Sequence, residues 1–291
     1  MLVTAASDRP ALLDFDFVDA ALPWRTGCPW LGGAQREVWV PASDGFAVIG
    51  LHRVIAPGED VAVATEAVYR ELLAQARPAK HPNLIRIWNF VGAINEGAGD
   101  DERYRRFCVG RNAAVDTMFR DPPPAATAIG APDPSMPLSV VALCSAAPGI
   151  ALENPRQTPA WQYPREYGPV PPGFSRGAVL QDGDRPILLA SGTASIVGHV
   201  SRHVGDVAAQ LDESIVNLGV LLDEGRRLSG ARFPLAEVMA LRVYLRSPAA
   251  FELAKSIIIA AGLPLERVAF LHGEVCRREL DVELEGVFAA A

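Results

Sequence analysis

The pattern of one half of this chain returns in the other, and few folds accommodate such a duplication. Each half reads as a β-hairpin, a long helix, a strand, a second helix and two further strands. Asp60-Val61-Ala62 opens the first long helix and Asp206-Val207-Ala208 opens the second. The next strand is Ile85-Arg86-Ile87-Trp88 in one copy and Leu241-Arg242-Val243-Tyr244 in the other. The last strands align Leu138-Ser139-Val140-Val141-Ala142-Leu143 with Leu280-Asp281-Val282-Glu283-Leu284, which sets Glu283 against Ala142. Self-similarity of this kind marks one supersecondary unit used twice. The 291 residues are enough for one large domain or two ordinary ones. The expected class is α+β, two like halves, each a mixed sheet packed by helices on one face. The expected boundaries are an irregular segment 1–35, a first half 36–147 and a second half 148–291.

The local signals fit this division. A hairpin turn at Ser43-Asp44-Gly45 separates Val38 to Val40 from Phe46 to Arg53. Val63, Ala67, Leu72 and Leu73 recur at roughly helical spacing between Asp60 and Ala76. Leu84 to Phe90 alternates as a strand. Asp101 to about Phe119 reads as one helix, stopped by Pro122-Pro123-Pro124. Ala125 to Ile129 and Leu138 to Leu143 read as strands. In the second half, Ile187 to Val197 is a strand interrupted at Ser191-Gly192, and Val204 to about Leu222 is an amphipathic helix. A strand at Leu241 to Leu245 and a helix at Ala249 to Ala261 follow; Gly262 is suited to end that helix. Val268 to Leu271 and Leu280 to Val287 close the chain as strands. Between the halves, Trp161, Tyr163 and Tyr167 make the Pro- and Gly-rich stretch too aromatic for a disordered linker. An ordered loop over 148–176 that covers a site is expected.

Charge and cysteine usage narrow the class. A net charge of −7 argues against a general nucleic-acid binder, which needs clustered cations. It also means that an anionic substrate has to be bound by local arginines. Cys28, Cys108, Cys144 and Cys276 have no zinc-ligand spacing, and no apolar run reaches membrane-spanning length. The first residues lack the basic and apolar regions of a leader, so a cytoplasmic protein with reduced thiols is expected. His199 and His203 stand four apart without a third ligand, and no Gly-x-Ser-x-Gly elbow or phosphate loop occurs. No metal and no cofactor are expected.

On the last strand Asp281, Glu283 and Glu285 share one face. From spacing alone, a solvated acidic edge is the simpler reading. The alternative is a carboxyl group in a cleft between the halves, its pKa raised by burial so that it donates a proton.

Two resemblances bear on this choice. Asp206-Val207-Ala208-Ala209-Gln210, Val243-Tyr244-Leu245 and Val282-Glu283-Leu284-Glu285 resemble the RidA (YjgF-like) family, in which a glutamate at the place of Glu283 acts as acid or base. From about residue 80 onward the chain also resembles the chorismatase family. The segments are His81-Pro82-Asn83-Leu84-Ile85-Arg86-Ile87-Trp88-Asn89-Phe90, Arg103-Tyr104-Arg105-Arg106-Phe107-Cys108-Val109-Gly110-Arg111 and Pro124-Ala125-Ala126-Thr127-Ala128-Ile129-Gly130. Glu153-Asn154-Pro155-Arg156-Gln157, Tyr163-Pro164-Arg165-Glu166-Tyr167-Gly168-Pro169 and Phe174-Ser175-Arg176 continue the match. Ser191-Gly192-Thr193-Ala194-Ser195-Ile196-Val197-Gly198-His199 is among the most distinctive.

The resemblance implies two RidA-like halves and cleavage of the enol ether of chorismate to pyruvate. Glu283 would be the catalytic acid. Arg111, Arg165 and Arg176, with Tyr163 as a phenol donor, would bind the two carboxylates. Arg105 and Arg106 read instead as a solvated helix face. The 3-hydroxybenzoate-forming type resembles this chain in Gly192 and in Cys276, seven residues before the acid; release of 4-hydroxybenzoate as well is compatible. A hydrolase giving a dihydroxycyclohexadiene carboxylate, a RidA-like imine or enamine deaminase, and a non-catalytic small-molecule binder are the alternatives. Since two copies in one chain supply an interface internally, a monomer is expected, with a trimer as the alternative. Neither nucleic acid nor membrane is expected as a partner.

Overall fold

The computed structural model describes residues 11–13, 28, 30–33, 38–40, 45–131, 133–180 and 185–291. Most of segment 1–35 and the turn residues Ser43 and Asp44 therefore lie outside the described residues. Short strands β1 (Ala11–Leu13), β2 (Trp30–Gly33) and β3 (Val38–Val40) come first. The first half follows with β4 (Phe46–Arg53), α1 (Val61–Ala76), β5 (Asn83–Gly92), α2 (Arg103–Ala114), α3 (Thr117–Arg120), β6 (Ala125–Ala131) and β7 (Leu138–Ser145). A connecting stretch then carries β8 (Ile150–Leu152). The second half has β9 (Gly177–Leu180), β10 (Ile187–Ala194), β11 (Ile196–Val197), β12 (Val200–Ser201), α4 (Val207–Ser229), β13 (Val238–Leu245), α5 (Phe251–Ala260), β14 (Val268–His272), β15 (Glu274–Val275) and β16 (Val282–Ala289).

The same sheet is built twice. One sheet runs β15-β6-β5-β7-β4 and the other β2-β14-β13-β16-β10-β9-β8. Within them, β6-β5-β7-β4 and β14-β13-β16-β10 share one pattern: a parallel pair, then two antiparallel pairs. Both long helices start on the repeated aspartate. Asp60 accepts from the Ala62 amide at 2.9 Å and Asp206 from the Ala209 amide at 3.0 Å, satisfying amides that have no partner inside the helix. α4 runs on to Gly230, whose φ of 77° caps it, several residues beyond the expected end. The single helix expected from Asp101 to Phe119 is two. The chain leaves the helix at Val115, and Asp116 caps α3 while pairing with Arg77 at 2.8 Å.

Four layers result. α1 and α2 cover one face of the first sheet through Val68, Tyr69, Leu72 and Phe107, which pack with Ile87, Val140 and Ala142. α4 and α5 cover the second sheet through Leu211, Leu218, Leu222 and Ile258, against Leu241, Val243 and Leu284. The uncovered faces meet each other: Trp88, Phe90, Val141 and Leu143 pack with Leu189, Tyr244, Leu271 and Val287. This is the α+β arrangement of two RidA-like halves that the sequence implies. Burying both faces of each sheet explains why β7 and β16 are buried along their whole lengths.

The register corrects one detail of the repeat. Tyr244 faces Glu283 across β13 and β16, and its counterpart Trp88 faces Val141 across β5 and β7. The first-half equivalent of Glu283 is thus Val141 rather than Ala142, and that of Glu285 is Leu143. Ala142 points to the helices, not to the layer between the sheets. Only the second half carries a glutamate at this place.

Candidate active site

β16 lies between β13 and β10, with its odd-numbered residues directed into the layer between the sheets. Glu283 and Glu285 therefore share that layer, two residues apart, and each is only 4% exposed. No solvated acidic edge exists there. Their surroundings differ sharply. The carboxylate of Glu285 accepts from Arg86 Nη2 at 2.6 Å, Arg242 Nη1 at 2.9 Å, the Tyr244 hydroxyl at 2.8 Å and the Thr127 hydroxyl at 2.5 Å. Burial raises its pKa, but the two guanidiniums and the hydroxyl donors outweigh burial and hold it below the usual carboxylate range. Glu285 is a buried anion.

No described residue hydrogen-bonds the carboxyl of Glu283. Burial first, and the neighbouring Glu285 charge second, push its pKa up to about 8 against the opposing pull of Arg86 and Arg176. It is a neutral acid at neutral pH. It also opens onto a cavity of about 280 Å³ lined by residues of both halves.

A bulge shapes the wall beside it. Between Ala190 and Thr193 the pairing of β10 with β16 slips by one residue, at the interruption expected at Ser191-Gly192. The extra residue brings the Gly192 backbone against Glu283. A Cβ at Gly192 would stand 2.0 Å from Glu283 Oε1 and 2.8 Å from its Cδ. Any side chain there collides with the carboxyl group.

Of the expected site residues, Glu283, Gly192, Cys276, Arg111, Tyr163 and Arg176 all line this cavity. Cys276 is half-buried and lines the cavity. Burial, then the proximity of Glu283, push its pKa up to about 12, so it stays a thiol. Arg176 is buried and donates through Nη2 to the Tyr163 hydroxyl at 2.7 Å and the Thr158 carbonyl at 2.9 Å. Its guanidinium stacks over Phe174 at 5.0 Å, and its buried Nε has no hydrogen-bond partner. Arg111, near the end of α2, is buried with its guanidinium over Phe107. Arg165 is not brought to the cavity. It forms an exposed ion pair with Asp100, because the turn that aims Tyr163 and Tyr167 inward points the intervening arginine outward.

Several cavity residues were not evident in the sequence. Arg277 lies over the Tyr167 ring at 4.0 Å and the Tyr163 ring at 5.0 Å. Its Nη1 donates to the His199 carbonyl at 2.8 Å, and its buried Nη2 has no hydrogen-bond partner. Its place directly after Cys276 was the one available signal, hidden by the charged run Arg277-Arg278-Glu279. Tyr104 and Thr127 line the cavity from the first half. Arg105 lines it too, held near Glu102 and Asp100, whereas Arg106 pairs with Asp60 on the outside. His199 meets the Tyr167 hydroxyl and His203 meets Glu213, so the two histidines do not converge. Among the described residues no cluster of His, Cys, Asp and Glu could hold a metal ion, and no helix is long and apolar enough to cross a membrane.

Known proteins resemble the chain throughout this region. Residues 23–144 match the family model described as Chorismatase FkbO/Hyg5-like, N-terminal. A chorismatase of Streptomyces rapamycinicus is 36% identical over 285 residues, covering 95% of this chain and 83% of that protein. A 3-hydroxybenzoate synthase of Streptomyces hygroscopicus is 33% identical over 234 residues, covering 77% of this chain and 68% of that protein. A chorismatase crystal structure superposes with a TM-score of 0.78 at 33% identity, over 90% of this chain and 77% of that one.

Proposed function

The chain belongs to the chorismatase family, and on that premise we propose that it cleaves the enol ether of chorismate to pyruvate and 3-hydroxybenzoate. The observation that carries the site assignment is the pairing of a neutral, buried carboxylic acid with buried arginine donors in one cavity. Glu283 protonates the methylene carbon of the enol ether, which turns the ether oxygen into a good leaving group. The substrate carboxylates add negative charge near Glu283 and favour its protonated form further. Arg176, Arg111 and Arg277 offer cations to those carboxylates in a chain whose net charge of −7 does not attract a dianion. The unpartnered donors of Arg176 and Arg277 support this, since buried donors without partners are costly until a ligand satisfies them.

The ring then takes one of two courses. Attack by the substrate's own hydroxyl on the neighbouring ring carbon as pyruvate departs forms an epoxide. Its bond to the original carbon then opens, and loss of the ring proton from the newly oxygenated carbon gives 3-hydroxybenzoate with no water consumed. Attack by water gives the diene diol. The backbone of Gly192 and the thiol of Cys276 shape the wall beside Glu283, and the covering segment 148–176 supplies Tyr163, Tyr167, Phe174 and Arg176. A close-fitting wall on this side of the ring supports the intramolecular course. The protein works as a monomer in this reading, because each sheet already covers the other, and the cytoplasmic location remains the one expected from its reduced thiols.

Purified protein mixed with chorismate should release pyruvate, read by a lactate dehydrogenase assay, and 3-hydroxybenzoate, resolved by chromatography beside authentic 3- and 4-hydroxybenzoate. Absence of pyruvate overturns the activity, and the diene diol as main product overturns the product assignment. Release of ammonia from 2-aminoacrylate at a comparable rate would favour a deaminase instead.

A further inference from the structure

Two glutamates stand two residues apart on one face of β16, about 7 Å apart along the strand, and only one of them faces the cavity. The other, Glu285, is saturated: all four of its hydrogen-bond partners come from buried side chains. Its two arginines are repeat counterparts, Arg86 from the first half and Arg242 from the second, joined on one carboxylate. An anion clamped this way cannot serve as the proton donor, yet it consumes two buried cations and four donors. Such a network is expensive to bury for packing alone.

We propose that Glu285 is a positioning residue for the acid: an anion fixed by the repeat arginines that keeps the adjacent Glu283 carboxyl in its proton-bearing form. This rests on Glu283 being the acid. Burial acts in the same direction, and the acidic side chains of Glu102, Glu166 and Glu279 line the same cavity, but Glu285 is the carboxylate whose charge is felt at Glu283. β10 brings no titratable side chain, and β6 brings only Thr127. β5 and β13 bring Arg86, Arg242 and Tyr244, all engaged with Glu285. Arg86 and Arg176 favour the ionised form, and Arg111 and Arg277 also line the cavity. Tyr104 and Cys276 stay neutral, because burial raises both. Burial is the larger cause that opposes ionisation of Glu283, and Glu285 is the neighbouring charge that adds to it; without that charge only burial stands against the arginines.

The test is the pH profile of kcat, read as pyruvate release. Activity of the native protein falls as pH rises through the Glu283 titration. Glu285→Gln keeps the shape and both arginines but removes the anion, so the falling limb should move down by about one to two pH units. At pH 7.5 that lowers kcat by about tenfold while kcat at pH 5.5 is largely retained. Arg86→Gln removes a cation and should move the limb up, in the opposite direction. A merely structural network would lower activity evenly across pH. An unmoved limb in Glu285→Gln, or both limbs moving the same way, overturns the proposal. Should Glu285→Gln not fold, an unmoved or lowered limb in Arg86→Gln does the same. Glu283→Gln separates the two levels. If it still releases pyruvate, the acid assignment itself fails; if it is inactive and the limbs stay put, only the role of Glu285 fails.

Discussion

Substituting Gly192 by alanine adds one methyl group at the point where the bulge of β10 meets the acid. The new Cβ would stand 2.0 Å from Glu283 Oε1, and ordinary contact begins at 3.4 Å. The carboxyl group must therefore retreat by about 1.4 Å, the difference between the two. The obstructing atom is the end of a flexible side chain beside a cavity, and Gly192 has no left-handed backbone to defend. The variant should fold, with stability within about 1 kcal/mol of the native protein. A displacement of about 1 Å in a reacting group typically costs on the order of 10²-fold in rate. We expect 3-hydroxybenzoate formation to fall by about 10²-fold, with the residual pyruvate release shifted toward water attack. The KM should change much less, because the arginines are untouched. The assay is initial-rate pyruvate release with product resolution by chromatography, alongside thermal melts. Unchanged 3-hydroxybenzoate formation in a folded Gly192→Ala protein would refute the view that this backbone fixes the position of the acid.

Three more outcomes follow from the site. Glu283→Gln should abolish turnover and flatten the pH dependence of stability. The folded pKa of about 8 exceeds the ordinary 4.5, so the contribution of this one group to stability is full below pH 4.5 and is lost as pH rises toward 8. That loss is bounded at about 5 kcal/mol, and the glutamine variant should lack it in melts taken from pH 5 to 9. Arg165→Ala should leave kcat/KM within about twofold of native, since its ion pair with Asp100 is exposed and outside the cavity; a large rise in KM would return it to the site. Cys276 should resist iodoacetamide at pH 7.5, because a thiol with a pKa near 12 holds almost no thiolate; rapid alkylation, read by mass spectrometry, would contradict its protonated state.

The duplication was legible because its markers are local. Asp60 and Asp206 cap helices through neighbouring amides, and Arg86 and Arg242 sit at one place in matching strands. The phase of the last strand was not. Leu138 to Leu143 is buried on both faces, so no polar alternation marks which residues point which way, and the alignment slipped by one. Only pairing with β5 settles it. Glu283 was singled out through family resemblance, but the surroundings that raise its pKa were not legible. Glu285 and Arg86 are 199 residues apart, and their contact arises only when the sheets stack. The arginines were the weakest point for a related reason. Arg165 and Arg277 carry the same side chain in equally charged surroundings, and the direction of a turn decides which one meets the cavity.

The stacked sheets also explain why the two units share one chain. Separate identical subunits carry identical side chains, so a symmetric pair would bring glutamates at both 283-like and 285-like places from each copy into the same dry layer. Four carboxylates would then compete for two arginines. Covalent fusion lifts that obligation. The first copy carries Val141 and Leu143 at these two places, which pack in the layer as ordinary apolar residues, while its arginine Arg86 meets the other copy's Glu285. Asymmetry, not duplication, leaves Glu283 without a carboxyl counterpart across the layer.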